Sequence, residues 1–421
     1  MKQNNRDFIK VVHLGLGAIP VPPGDVAAGI EGYIYQLTLY LGKEDCIVHV
    51  IDIKGGEQQK EKRLQSSAVF HEVWHPPLPA RSSSHFMQHL KSYLLSVVQA
   101  NIFALQALFI LNTLIKKEHI AVIHTHNRQT ALASITINKL RGNPAIVIYT
   151  PQSPFGLDKM KWDKKMINFL EIPALKWADH IIALTPAVKN WLAAEFHLKP
   201  TKITPISVGT ATDEIEKFLA EKTAPPHQSK IILCSGVISA RKNQLSAVKT
   251  AQEVIKKHPE VKFIFTGPVS DTRYFNSIQE FIARNNLGQW VEFRGMVPKK
   301  ELYNLYGDAI MFFFPSTAEV QPTVLMEALT YGLPVISSTI QPIIDVVGKN
   351  GESAVLVDPF DIPGMADAID RILDDNSLWN SMSEHAQKLG KSFSYELIAR
   401  QTLSLYLELI ERKNTHIPKT T

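Results

Sequence analysis

Cysteine is scarce in this chain: of 421 residues only Cys46 and Cys234 are cysteines, and their separation has no metal-type spacing. So sparse a use excludes a disulfide scaffold and fits a reducing compartment, with the cytosol as the expected location. An excess of one charge is also missing. Lys and Arg total 45 against 40 Asp and Glu, a formal net charge of +5. That is too small to argue for nucleic acid, and it suits anionic small ligands or a loose approach to anionic lipid. The opening MKQNNRDFIKVVHL runs from polar residues into a strand-like stretch, with no apolar secretory segment and no small-residue cleavage site. No short repeat or long low-complexity tract appears. One stretch lacks charge altogether, residues 92–115 between Lys91 and Lys116. About 20 apolar residues suffice to span a bilayer. Ser96, Gln99, Asn101, Gln106, Asn112 and Thr113 interrupt this run, and a span would split one α/β sheet across a membrane. A core helix of the first domain is the reading adopted, with a helix lying on a membrane surface as the alternative.

What is present is length and alternation. A chain of 421 residues exceeds one ordinary core, and two domains of roughly 200 residues each are expected. Strand-length apolar runs at Phe8–Leu14, Cys46–Ile51, Ala121–His124, Ala145–Tyr149, His180–Leu184 and Ile203–Ile206 alternate with helical patterns such as Ile30–Leu41 and Pro186–Phe196. The segment Asp213–Lys230, with its KTAPPHQSK stretch, interrupts the alternation and reads as a boundary. Strands then recur at Lys230–Cys234, Val261–Thr266, Val291–Phe293, Ala309–Phe314, Pro334–Ser337 and Ala354–Val357. The helices between them are expected at Asn243–His258, Tyr274–Asn286, Lys299–Tyr306 and Pro322–Tyr331. Such alternation predicts two doubly wound parallel-sheet domains in tandem, with ligands at the carboxyl ends of the strands, in a cleft between the domains.

Four motifs lie at those strand ends. In MFFFPSTAEVQPTVLMEALTYGLPVIS, residues 311–337, a buried strand is ended by Pro315 and Ser316, and Pro322 stands at the expected helix start. The free amides of Thr323 and Val324 suit a pyrophosphate. Glu319 precedes the helix and Glu327 lies in its second turn; a carboxylate accepts two hydrogen bonds from a vicinal diol, so one suits a sugar and the other a ribose. Two isolated glutamates would ordinarily be exposed; the strand, the prolines and Gly332 around them change that weighting. In CSGVISARKNQ, residues 234–244, a strand ends at Gly236 and Arg241–Lys242 opens a helix, where cations can neutralise a departing diphosphate. In PPGDVAAGIEGYIYQL, residues 22–37, Gly24, Gly29 and Gly32 let a backbone approach a ligand closely. No Lys–Ser/Thr pair follows, so this loop is weak alone; the upstream Gly15-x-Gly17 pair is followed by Pro20 where a dinucleotide fingerprint needs glycine. In VIHTHNRQ, residues 122–129, His124 and His126 share a strand face. No third ligand is evident, which argues against a metal. His124 reads as a core histidine, and His126 as an uncharged imidazole reaching the cleft to bond a sugar or shuttle a proton.

Together these residues resemble glycosyltransferase family 4, the retaining enzymes of the GT-B fold, over nearly the whole chain. The likeness is strongest in VEFRGMVPKKELYNLYGDAI, in the Glu319–Glu327 segment with GLPVI after it, and in GESAVLVDP, and it continues in LTPAVKNWLAAEF and KITPISVGT. The resemblance implies an acceptor-side Rossmann-like domain over 1–208, a nucleotide-sugar domain over 209–394, and a helix in 395–421 that crosses back to the first domain. It implies Glu319 on donor-sugar hydroxyls, Glu327 on the ribose, the Thr323 and Val324 amides on sugar or phosphate, and Lys242 on the diphosphate. Gly295, Met296 and Val297 would lie against the base, with Gly236 beside the donor and Gly29 closing over the phosphates. His126 matches the second histidine of the family's H-x-H strand end. Two departures stand out. Val237 follows Gly236 where the family often has arginine, which leaves Arg241 as the substitute. Ala28 and Val320–Gln321 replace a common glycine and Gly–Phe.

The expected reaction moves a sugar from a UDP-, GDP- or ADP-sugar to a glycan, lipid-linked or small-molecule acceptor with retention, through an oxocarbenium-like transition state. His126, Arg241, Lys242 and Glu319 are the expected catalytic set, with no cofactor and no obligatory metal. A GT-B sugar-nucleotide epimerase and a catalytically weak donor-binding subunit of a glycan assembly complex are the competing readings. No nucleic-acid partner is expected. The expected location is the cytoplasm, with peripheral contact at the inner face of the membrane as the extension that KMKWDKK, residues 159–165, and 92–115 would supply.

Overall fold

A computed structural model describes residues 8–17, 19–23, 29–74, 86–152, 163–220 and 230–415, of which 86–97 and 163–169 are described by their backbone alone. The chain divides into two compact units. Unit 1 comprises Met1–Leu184, Val188–Ser207 and Tyr395–Thr421; unit 2 comprises Thr185–Ala187 and Val208–Ser394.

Unit 1 is built on β1 (Ile9–Leu14), α1 (Gly29–Leu41), β2 (Cys46–Ile53), α2 (Glu57–Leu64), β3 (Val69–Val73), α3 (Phe86–Glu118), β4 (Val122–Thr125), α4 (Arg128–Leu140), β5 (Ile146–Tyr149), α5 (Asp163–Trp177), β6 (His180–Ala183), α6 (Pro186–Glu195) and β7 (Ile203–Pro205). Its seven strands run parallel in the order β3-β2-β1-β4-β5-β6-β7. β4, β5 and β6 are buried along their whole length, as strands covered by helices on both faces must be. Two elements were not anticipated. β3 is half-exposed at the sheet edge and therefore has no continuous apolar run. The sequence of α2, EQQKEKRL, has no apolar face; its one buried residue is Arg63, which donates to the Asp52 carboxylate at 2.9 Å and to the Val21 carbonyl at 2.7 Å.

The uncharged run lies in α3. Its Val98–Glu118 portion is long and apolar enough to cross a membrane by length and composition. Phe103, Ala107 and Leu111 are buried at helical spacing, and the helix packs on α4 and the β1–β3 side of the sheet. Val98, Leu105 and Phe109 are exposed on another face.

Unit 2 contains α7 (Thr212–Ala220), β8 (Ile231–Ser235), α8 (Gln244–Val254), β9 (Lys262–Thr266), α9 (Thr272–Arg284), β10 (Val291–Gly295), α10 (Lys299–Asp308), β11 (Ala309–Phe314), α11 (Thr323–Thr330), β12 (Val335–Ser338), α12 (Gln341–Val347), β13 (Ala354–Val357), α13 (Ile362–Asp374) and α14 (Asn376–Lys391). Six parallel strands take the order β10-β9-β8-β11-β12-β13. α7 occupies the first part of the segment read as a boundary; Thr212 and Ile215 are its buried residues, with Phe218 and Leu219 half-buried at helical spacing. The Pro-rich stretch after it lies outside the described residues. The chain then returns to unit 1 as α15 (Tyr395–Thr415), which packs against α1. In both sheets the strand order reverses about the first strand of the unit, between β1 and β4 and between β8 and β11. Open parallel sheets bind ligands at such switch points, beyond the carboxyl ends of the strands.

Candidate functional site

The switch point of unit 2 collects most of the predicted residues. β8 ends at Ser235 and the chain turns at Gly236, where φ is +149°, a conformation that side chains disfavour. The neighbouring β9 is followed by Gly267, φ +127°, where an added Cβ would overlap the Gly236 carbonyl. The Gly267 amide donates to the Gly295 carbonyl at 2.7 Å. Three glycines thus bring the ends of β8, β9 and β10 together, with exposed Met296 and half-buried Val297 just beyond.

Arg241 and Lys242 do not open α8 directly, as the sequence suggested. They close a 3-10 turn, Ala240–Lys242, and α8 starts after Asn243 has adopted a left-handed conformation with φ 58°. That turn is fastened to the loop after β11. The Asn243 amide donates to the carbonyls of Pro315 at 3.1 Å and Pro359 at 2.7 Å, and the Thr317 amide donates to the Arg241 carbonyl at 2.9 Å. The result is a convergence on Glu319, whose side chain is only 6% exposed. Lys242 Nζ lies 2.7 Å from its Oε1, Arg241 lies 3.2 Å from its Oε2, and the Ser316 hydroxyl donates to Oε1 at 2.6 Å. Burial pulls the Lys242 ammonium below the usual lysine range, with Glu319 opposing and Arg241 adding to the shift. Arg241 also donates to the Ala318 carbonyl at 2.6 Å, so it reaches the same few atoms as Lys242.

Pro322 is the N-cap of α11 rather than its first residue, and Thr323 opens the helix. The amides of Thr323 and Val324 are among the first of the helix, which lack an intrahelical acceptor. Glu327 lies one turn along. The buried Tyr306 hydroxyl donates to its Oε2 at 3.0 Å, and burial raises the carboxyl above its usual range, against the pull of Tyr306 and Lys299. Tyr306 is fixed in turn by stacking on Tyr331, with centroids 5.2 Å apart. Sequence reasoning missed Tyr306, Ser316 and Asn243; all three stand inside or beside the quoted motifs, but no pattern there marks them.

Unit 1 has its own cluster at the end of β4. His126, read from the sequence as the histidine that reaches the cleft, is buried nearly as fully as His124, at 2% and 0% exposure. The expected absence of a third imidazole is also corrected. His13 on β1 stands opposite His124 in the sheet register, and one ligand atom from each of His13, His124 and His126 lies within 4.8 Å of the others. Burial lowers all three rings, His13 to about 3 and the others well below the usual histidine range. Tyr33 of α1 meets His126 edge-on at 5.8 Å. Gly29 is exposed as the first residue of α1, with open space where a Cβ would stand. Gly24, Ala28 and residues 159–162 of the basic KMKWDKK run lie outside the described residues, as do the side chains of 163–165.

Comparison with known proteins follows the same two-unit division. A family model described as glycosyl transferases group 1 matches residues 216–389, and one described as glycosyltransferase family 4 matches residues 27–214. Among curated proteins, the chain is 26% identical to the UDP-Gal:alpha-D-GlcNAc-diphosphoundecaprenol alpha-1,3-galactosyltransferase of Escherichia coli, over 73% of this chain and 81% of that protein. Among solved structures, a glycosyltransferase from Rickettsia africae superposes with a TM-score of 0.73 at 20% identity, covering 96% of this chain and 99% of that one. The Anabaena HepE protein in complex with UDP and glucose superposes with a TM-score of 0.71 at 14% identity, covering 95% and 100%.

Proposed function

Because the chain is a glycosyltransferase that belongs to glycosyltransferase family 4 and has the GT-B fold, we propose that it transfers a hexosyl group from a nucleotide-diphosphate sugar to a glycan, lipid-linked or small-molecule acceptor, with retention at the anomeric carbon and without a divalent cation. One observation carries the reading: the buried Glu319 carboxylate is gripped by Lys242 at 2.7 Å and Arg241 at 3.2 Å beside the start of α11. One buried carboxylate and two cations where a strand end meets a helix N-terminus support a site for the sugar and diphosphate of a donor.

In this proposal Glu319 accepts from donor-sugar hydroxyls, and Lys242 and Arg241 turn their charge on the diphosphate. The Thr323 and Val324 amides add donors, helped by the partial positive charge of the helix start. Glu327 accepts from the ribose, with Tyr306 holding its other oxygen, and Gly295–Val297 lie against the base. Two fixed cations and the helix start supply the positive charge that a metal supplies elsewhere, which supports metal independence. Both oxygens of Glu319 are already paired with cations, so its nucleophilicity is low, and this supports attack on the same face as departure. The bond between the anomeric carbon and the phosphate oxygen breaks, the acceptor oxygen bonds to that carbon, and its proton passes to the departing phosphate oxygen. No observation favours an epimerase or a donor-binding subunit.

A UDP-sugar is the first donor to test, given the donor named for the galactosyltransferase relative and the nucleotide in the HepE complex. Thermal shift across UDP-, GDP- and ADP-sugars should single out one nucleotide, because a ligand that binds the folded state raises apparent stability. Transfer by the purified chain should persist in excess chelator and give the anomeric configuration of the donor. Activity that is lost in chelator and restored by Mg²⁺, or an inverted product, would overturn the corresponding part. We assign the reaction to the cytoplasmic side of the membrane, where the exposed Val98, Leu105 and Phe109 on α3 support a peripheral contact.

A further inference from the structure

His13, His124 and His126 are links in one hydrogen-bonded chain inside unit 1. His13 and His124 are opposite each other on adjacent parallel strands, and His126 lies two positions on, toward the same face. Into this face α15 inserts the hydroxyl of Tyr406. It lies 2.7 Å from His124 Nδ1 and 3.3 Å from His13 Nε2. His124 Nε2 meets the Thr150 hydroxyl at 2.7 Å, and His13 Nδ1 meets His126 Nε2 at 3.5 Å. His126 Nδ1 then faces the amide nitrogen Nε2 of half-buried Gln152 at 3.4 Å, with the amide oxygen on the other side of the same group. Every member but Gln152 is buried.

The direction of this chain follows from counting protons. Burial keeps the three rings neutral. A neutral imidazole has one N–H, so one nitrogen donates and the other accepts. Each ring uses both nitrogens, and the Tyr406 hydroxyl has one hydrogen, so all links must point the same way. If the chain ran from Gln152 to Thr150, the Thr150 hydroxyl would accept from His124, and its own hydrogen would meet no acceptor among the described residues. An unmet buried donor costs about 1–3 kcal/mol. In the opposite direction Thr150 donates to His124 Nε2, His124 Nδ1–H to Tyr406, Tyr406 to His13 Nε2, and His13 Nδ1–H to His126 Nε2. His126 then carries its proton on Nδ1 and donates outward to the oxygen of the Gln152 amide, which a half-turn of that amide presents. Only this direction gives every buried hydrogen a partner. The three rings also have the make-up of a metal site, but both nitrogens of His124 are already within 2.7 Å of hydroxyls.

We propose that Tyr406 and His13 are positioning residues that hold His126 as the Nδ1–H tautomer, so that it offers a substrate a hydrogen-bond donor; this rests on the reading that His126 faces the substrate. The ligand group it takes is an oxygen with a free lone pair, a sugar hydroxyl or ring oxygen, which displaces Gln152. His126 therefore orients an oxygen and does not shuttle a proton. The tautomer depends on the last helix of the chain, whose hydroxyl joins His124 to His13.

The test uses full-length protein labelled with ¹⁵N-histidine. Long-range ¹H–¹⁵N spectra should show His126 as the Nδ1–H form at pH 7.5. Tyr406→Phe keeps the buried ring and removes the hydroxyl; it should shift His126 toward Nε2–H and lower kcat about tenfold, the size of one orienting hydrogen bond. KM for the donor should stay within about twofold, since the donor nucleotide is assigned to unit 2. Thr150→Val, which removes the group that sets the direction, should shift the tautomer the same way, and it serves if Tyr406→Phe does not fold. An Nε2–H His126 in the wild type, a tautomer unmoved by both variants, or one tightly held metal ion per chain would overturn the proposal. Wild-type transfer by His126→Ala, with the tautomer as stated, would instead sink the substrate-facing role of His126.

Discussion

Replacing Glu327 by glutamine should move stability and donor binding in opposite directions. In the folded chain one oxygen of Glu327 accepts from Tyr306 at 3.0 Å, and burial raises the carboxyl above its unfolded value. A carboxyl raised on folding contributes stability that is fully present below the unfolded pKa, near 4.5, and lost as pH rises through the folded one. At pH 7.5 the charge is therefore a cost to the fold. Glutamine removes that charge and keeps an oxygen for Tyr306. The Tm of Glu327→Gln should equal or exceed the wild-type value at pH 7.5, and the gap should close as pH falls toward 4.5. Donor binding should weaken. A carboxylate can accept both hydroxyls of a ribose diol, whereas an amide oxygen already bonded to Tyr306 leaves an N–H₂ group that can only donate. Losing one hydrogen bond to a charged acceptor costs about 1.5–3 kcal/mol, roughly ten- to hundredfold in Kd. Scanning calorimetry and isothermal titration with the donor found by thermal shift measure both quantities on the same sample. A variant that loses several degrees in Tm yet binds donor like the wild type would show that Glu327 serves the fold alone, and the ribose assignment would fall with it.

Lys242→Met removes the ammonium 2.7 Å from Glu319 and leaves that buried carboxylate with Arg241 as its cation. Breaking a buried pair from one side costs about 3–5 kcal/mol, which a urea midpoint reports. Transfer should fall by at least about a hundredfold at saturating donor, the usual cost of removing one electrostatic stabiliser of a leaving group; unchanged kcat would exclude Lys242 from leaving-group stabilisation. His13→Gln tests the buried imidazoles through pH. The folded pKa of His13 is depressed to about 3 from 6.5, so its neutral form contributes stability above pH 6.5 that is lost as pH falls toward 3. The stability difference between wild type and His13→Gln should therefore shift by ~1.4 kcal/mol against the wild type between pH 7.5 and 5.5. A difference independent of pH would mean that His13 titrates normally in the fold.

Residues proposed to meet the donor and residues that hold them in place leave different traces in a sequence. A strand end and the helix after it present side chains from one short run, so Glu319, Thr323, Val324 and Glu327 could be read from a single segment, and Arg241–Lys242 from a second. Their convergence on one carboxylate required the fold. Nothing local says that the turn Ala240–Lys242 is fastened by Thr317 and Asn243 to the loop after β11. Tyr306 shows the limit sharply. It stands in the run ELYNLYGDAI that the resemblance already singles out, yet only the packing of α10 against its neighbours reveals that its hydroxyl is aimed at Glu327. The histidine chain lies further from sequence reasoning still, because its members come from β1, β4, the end of β5 and the last helix. An H-x-H pair at a strand end invites a search for a third metal ligand close by in sequence. The third imidazole lies more than a hundred positions earlier, and the hydroxyl that joins the chain lies 282 positions after His124. Pattern reading is blind to such partners because parallel register pairs residues that are distant in the chain. Accounting for buried hydrogens finds them, because each of those hydrogens must have an acceptor wherever in the chain it comes from. Glu319 in unit 2 and His126 in unit 1 are thus legible as types and positions, but whether each is paired with cations or fixed as one tautomer is written in residues that no motif contains.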